Sequence, residues 1–180
     1  EEYGNLGRLE VEIAKTDLVY VRGGKRIDIT VYLNEGPEYH VDALQVANNN
    51  VFDEDEVHDI IEVMPGEVHN KGQVAADAEA IRQDYQDSGY VDAKVGAQVT
   101  LDRDAKTTHV VHNIEEGELK YVREIRVTGN EVTKDEVIRR QMLISPGERY
   151  DGTSVKSSQR RIENTQYFDQ VRLTLDDESN

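Results

Sequence analysis

Cysteine is missing from this chain of 180 residues, and proline occurs only three times. Without cysteine there is no disulfide scaffold, no thiolate zinc site and no thiol nucleophile, and no compartment is excluded. No stretch approaches the roughly 18 consecutive apolar residues of a membrane-crossing helix, and no signal peptide is recognisable. Basic residues are in short supply: 21 Lys and Arg stand against 37 Asp and Glu, a formal charge of −16. The deficit is uneven. Residues 1–37 carry −2, residues 38–117 carry −13 and residues 118–180 carry −1. So acidic a middle segment repels nucleic acid at long range. What remains is 37% hydrophobic and 32% charged, ordinary for small soluble domains with modest cores.

What is present is repetition. Tyr39-His40-Val41-Asp42-Ala43-Leu44-Gln45-Val46 leads to an Asn-rich turn, a charged helix, Pro65-Gly66-Glu67, a second helix and Gly89-Tyr90-Val91-Asp92. About eighty residues further on the order recurs, as a fixed internal period requires of tandem supersecondary units. There Tyr121-Val122-Arg123-Glu124-Ile125-Arg126-Val127 leads through Gly129-Asn130, a helix, Pro146-Gly147-Glu148 and another helix to Tyr167-Phe168-Asp169.

Periodicity assigns the elements. Alternation over 8–13 and 26–33, around Gly23-Gly24, predicts a hairpin. In the middle unit Asn48-Asn49-Asn50 suits a turn, because Asn tolerates positive φ. Asp53-x-x-Glu56 has capping-box spacing, ahead of a helix presenting Val57, Ile60, Ile61 and Met64. Asn70 caps a second helix with Val74, Ala78, Ile81 and Tyr85 on one face and Gly89 at its end. Strands over 90–101 and 107–114 follow, joined at Asp102-Arg103-Asp104-Ala105. The last unit repeats this with a strand over 121–127 and a capping box at Thr133-Lys134-Asp135-Glu136. Its helices carry Val137, Ile138, Met142, Val155 and Ile162, and a strand covers 168–175. The expected fold is α+β: tandem β-α-α-β-β modules, each a three-stranded mixed sheet covered on one face by two antiparallel helices. Residues 1–37 are the end of a preceding module, 38–117 a complete one, and 118–180 one lacking its last strand. Glu1 reads as a helix tail and Asn180 as a stop after a strand, so an excised piece of a longer protein is expected.

No catalytic constellation emerges. His109 and His112, three apart on a strand, point to opposite faces. His40, His58 and His69 show no ligand pattern, and all five are expected at the surface. The acidic run Asp53-Glu54-Asp55-Glu56, with Asp59 and Glu62, lacks the alternating ligands and central glycine of a calcium loop. It sits where acids favour a helix N-terminus. Ser154, Ser157 and Ser158 have no histidine nearby in sequence. No cofactor, metal or enzymatic activity is expected.

Ile125-x-Val127-x-Gly129-Asn130, Val137-Ile138-Arg139-Arg140, Pro146-Gly147-Glu148-x-Tyr150-Asp151 and Tyr167-Phe168-Asp169-x-Val171 together resemble a POTRA domain. These are the polypeptide-transport-associated modules of the BamA-type outer-membrane assembly family. The middle unit is similar through Pro65-Gly66-Glu67 and Gly89-Tyr90-Val91-Asp92-Ala93-Lys94-Val95. Asn48 replaces Gly129, Val91 replaces Phe168, and Thr165-Gln166 precedes Tyr167 where a glycine is commoner. The resemblance implies a periplasmic arm of an outer-membrane protein whose C-terminal membrane β-barrel lies in the same chain. Such an arm receives unfolded outer-membrane β-barrel precursors and docks accessory lipoproteins of the assembly complex. Peptide capture would proceed by β-augmentation on edge strands carrying Tyr90, Val91, Ala93, Val95, Tyr167, Phe168, Val171 and Leu173. Lys94 and Arg172 would guard those edges. Arg139, Arg140, Arg160 and Arg161 would dock an acidic partner, unless they are merely solvated or paired with Glu136 and Glu163. A two-partner-secretion or autotransporter-assembly channel also fits the motifs. So does an unrelated soluble multidomain enzyme or adhesin of the same topology.

Overall fold

Alternating burial marks the central strand, and an apolar stripe makes the long helix. In chain order the computed structural model forms α1 (Glu2–Asn5), β1 (Glu12–Val21), β2 (Arg26–Asn34), β3 (His40–Ala47), α2 (Glu54–His58) and α3 (Lys71–Asp87). Then come β4 (Lys94–Asp102), β5 (Thr107–Glu115), α4 (Asp135–Arg139) and α5 (Gly152–Glu163). Residues 2–21 and 23–176 are described; Glu1, Arg22 and 177–180, with the chain ends read above at Glu1 and Asn180, lie outside them.

The contacts divide the chain into two units: Glu1–Ile81 with Val95–Ile114, and Arg82–Lys94 with Glu115–Asn180. The division cuts α3 after Ile81 and leaves most of β4 and β5 in the first unit.

In the first unit β5 is the central strand of a mixed sheet ordered β3-β5-β4, with β3 parallel to it. Along β5 burial alternates residue by residue, so Thr108, Val110, His112 and Ile114 enter the core. On α3, Val74, Ala78 and Ile81 are buried as their helical spacing predicts, and Tyr85 is buried in the second unit. Truncating Ile81, with no exposed surface, costs about 2–5 kcal/mol. The Asp53–Glu56 capping box is fully formed. Asn70 accepts the Gln73 amide at 3.0 Å, and Asn48 takes φ 66°. Helix α2 is only five residues long, so it buries Val57 but leaves Met64 59% exposed, outside the core.

The hairpin lies further along the chain than its sequence alternation suggests. Strand β1 starts at Glu12 and pairs antiparallel with β2, Leu18 opposite Ile29 and Tyr20 opposite Ile27. A bulge between Ile13 and Lys15 returns Ile13 to the same face, opposite Leu33. Ile13, Leu18, Tyr20, Ile27, Ile29, Val31 and Leu33 thus form one apolar face, exposed among the described residues.

In the second unit Ile138, Ser158, Ile162, Tyr85 and Ala93 are buried. Tyr85 meets Tyr90 edge-on at 6.1 Å and donates to Glu116 at 3.1 Å. Segments 121–127 and 168–175, expected as strands, form no ladder; an isolated bridge joins Tyr121 to Arg149. The sheet of the first unit gives the reason. Its first and second strands both pair through the last one, β5, and the described residues to 176 contain no second counterpart of β5. The capping box at 133–136 is also absent: Lys134 is the N-cap and makes no side-chain bond.

Candidate functional site

The candidate site is a sheet edge, set by which backbone groups the fold leaves unpaired. Strand β3 is closed over its first half. Val41 donates to Glu67 at 2.8 Å and accepts from Gly66 at 2.6 Å, and His69 donates to Tyr39 at 2.9 Å. Strand β4, at the other edge, makes no backbone hydrogen bond to any described segment except its neighbour in the sheet. Its nine residues present about 30 Å of unpaired edge at ~3.3 Å per residue. Lys94 is exposed at its start, and Gly96 leaves open space beside the backbone.

Of the residues expected on this edge, Val95 and the guarding Lys94 lie in β4. Tyr90 and Val91 precede it in a turn, and Ala93 is buried at 2% exposure. Their backbone is used locally: Ala93 donates to Tyr90 at 3.0 Å, and Gln86 Nε2 donates to the Val91 carbonyl at 3.0 Å. Tyr167 is 65% exposed, Phe168, Val171 and Leu173 are half-buried, Arg172 is exposed, and none of them is in a strand.

The arginines divide similarly. Arg139 is engaged, with Nε 2.7 Å from Asp135 and Nη2 donating to the Ile125 carbonyl at 2.9 Å. Arg140 ends α4, Arg160 and Arg161 fill the last turn of α5, and all three are exposed.

Sequence motifs do not show how the joints are held, which the structure does twice on one plan. In the first unit the turn at 5–10 grips the β3–α3 region that follows it in the chain. Tyr39 donates its amide to Gly7 at 2.9 Å and its hydroxyl to Glu10 at 2.8 Å, and Gly72 donates to Asn5 Oδ1 at 2.8 Å. Arg103 adds a 2.6 Å ion pair to Glu10. This arginine holds the Glu10 carboxyl below its usual range, helped by the Tyr39 hydroxyl, and Glu10 in turn pushes the Tyr39 hydroxyl up. In the second unit the turn at 87–92 does the same. Lys120 donates its amide to Gly89 at 2.9 Å and its ammonium to Asp92 at 2.8 Å, while Lys156 pairs with Asp87 at 2.7 Å. Deeper in each copy, the Asp77 carboxylate accepts the amides of Glu62 and Val63, and Ser158 Oγ accepts that of Leu143.

Two expected surface histidines are in the core. His69 Nδ1 lies 3.0 Å from Thr108 Oγ1, and His112 is fully buried with neither ring nitrogen hydrogen-bonded to a described residue. Burial pushes both imidazoles below their ordinary pKa, partly offset at His112 by Asp77. His109 is on the opposite face of β5, as alternation requires. No group of three or more potential ligands that could hold a metal occurs among the described residues. No described helix is long and apolar enough to cross a membrane.

A mixed three-stranded sheet with two helices, whose helix pair and joint recur further along the chain, defines a tandem-module protein. Residues 39–117 and 120–180 match POTRA, described as a surface antigen variable number repeat, and the chain belongs to that family. It is 28% identical over 155 residues to the outer membrane protein assembly factor BamA of Buchnera aphidicola, covering 86% of this chain and 25% of that protein. It is 28% identical over 172 residues to BamA of Neisseria meningitidis serogroup B, covering 95% and 22%. The chain therefore spans about a quarter of these relatives' length. The crystal structure of Haemophilus influenzae BamA POTRA3-5 superposes with a TM-score of 0.73 at 24% identity, covering 99% of this chain and 72% of that one. That likeness concerns the fold.

Proposed function

We propose that this chain is part of the periplasmic arm of an outer-membrane protein assembly factor, a binding scaffold and not an enzyme. Residues 1–37, 38–117 and 118–180 are the end of one module, a complete module and a module lacking its last strand. The arm receives unfolded β-barrel precursors, which add as an extra strand to the outer edge of β4. Arg140, Arg160 and Arg161 dock an acidic surface of an accessory lipoprotein, and a C-terminal membrane β-barrel belongs to the same polypeptide. The observation that carries the reading is the asymmetry of the sheet: one edge is closed by 66–69 and the other is open along nine residues. Main-chain pairing on such an edge makes little demand on sequence, as a receptor for many precursors requires.

Proline substitution tests it. Neighbouring strand residues direct their N–H groups to opposite sides, so of Ala97→Pro and Gln98→Pro one removes an outward donor and the other a ladder bond. The outward variant is expected to fold normally and to weaken binding of a fluorescent barrel-strand peptide by about tenfold, ~1.4 kcal/mol. Unchanged binding by both variants would remove the β4 edge from the account.

A further inference from the structure

Three turns of this chain end a helix in the same way, and at their third position the first two have glycine where the last has glutamine. Gly7 and Gly89 take φ 72° and 99°, but conformation is only half of their role. A Cβ on Gly7 would stand 2.8 Å from the Tyr39 carbonyl oxygen and 2.9 Å from Val68 Cγ1. On Gly89 it would stand 2.8 Å from Leu119 Cδ1 and 2.8 Å from the Tyr150 carbonyl oxygen. The Tyr39 carbonyl cannot retreat freely, because it accepts the His69 amide at 2.9 Å. Each joint therefore closes only around a residue without a side chain.

The third turn, 164–169, has a residue at the same left-handed position, though the Tyr167 amide donates to Thr165 Oγ1 at 3.3 Å where Arg8 and Tyr90 donate to the Tyr3 and Tyr85 carbonyls. Gln166 takes φ 56° and donates its amide to Glu163 at 3.0 Å, as Gly89 donates to Gln86 at 3.1 Å. Asn164 stands where Asn5 and Asp87 stand, and Asp169 where Glu10 and Asp92 do. The acceptors of the grip are retained, while the position that must lack a side chain has one.

We propose that this third position is the specificity-determining residue of the joint, and that Gln166 closes the third turn to a further repeat of the same build. A repeat approaching Gln166 as Tyr39 approaches Gly7 would meet its Cβ below contact distance. The inference rests on the joints alone, so it stands or falls separately from peptide capture on β4.

A graft within the chain tests it. Turn 5–10 is given the sequence of turn 164–169 through Leu6→Thr, Gly7→Gln, Arg8→Tyr, Leu9→Phe and Glu10→Asp. A second chain carries the same changes with glycine kept at position 7. Amide exchange is read at Tyr39 and Gly72, which donate across the joint, with Val110 in β5 reporting on the fold. The glutamine graft is expected to exchange at least about tenfold faster at Tyr39 and Gly72 than the unaltered chain, and the glycine-retaining graft within about threefold of it. Full protection in the glutamine graft, or equal loss in both grafts, would overturn the proposal.

Discussion

At the scale of residues, each repeat uses one buried polar side chain to hold the loop after its first helix. Asp77 does so in the first unit and Ser158 in the second, both at 1% exposure or less. Replacing Asp77 with Ala strands the Glu62 and Val63 amides, an expected loss of about 2–4 kcal/mol. Ser158→Ala strands one amide, that of Leu143, for about 1–2 kcal/mol. Urea unfolding followed at residue level checks the ranking. The buried histidines add a pH dependence of fixed sign. Their folded pKa values lie below the ordinary 6.5, so the unfolded chain binds protons first as pH falls. Stability of the first unit is therefore full above that value and declines below it, by at most about 1.4 kcal/mol per pH unit for each histidine. His112→Leu should flatten the fall between pH 7 and pH 5, as measured by urea midpoints on the β5 amides. None of this was legible in the sequence. His112 shares the alternation of Val110 and Ile114, and only the sheet shows which face of β5 is inward.

At the scale of elements, legibility follows periodicity. The stripe on α3, the Asp53 box and the alternation of β5 depend on nearest neighbours along the chain, and sequence displays them directly. The start of β4 depends on a joint with residues far along the chain. Tyr90 and Val91 have strand-like chemistry, yet the turn at 87–92 takes their backbone before β4 begins. Segments 121–127 and 168–175 are apolar and alternating, but a strand needs a partner and theirs is not among the described residues. Helix α4 illustrates a local signal that misleads. Thr133 and Glu136 have the spacing of a box, but the helix starts at Asp135 and Lys134 takes the cap position. Lys134→Ser would supply the missing acceptor and is expected to stabilise the second unit by about 0.5–1 kcal/mol. Thermal unfolding monitored on α5 amides checks the gain; a loss would mean that the Lys134 side chain has a role other than capping.

For the molecule as a whole, repetition is the feature most visible in sequence, and the motifs it repeats are enough to point to the family. The edge expected over 90–99 overlaps β4 from Lys94 onward but not before it, because where a strand begins is a property of the whole sheet. A nine-residue edge on a chain of net charge −16 reconciles two needs. Like charge keeps separate copies apart in solution, while an incoming extended segment can still pair with the backbone. Nuclear magnetic resonance titration of the labelled 180-residue chain with an extended barrel-strand peptide tests this most directly. The account predicts shifts and slowed amide exchange concentrated on Lys94–Asp102, with the 66–69 segment that closes β3 undisturbed. Shifts confined to 139–161, with β4 silent, would contradict it and make the chain a docking scaffold instead.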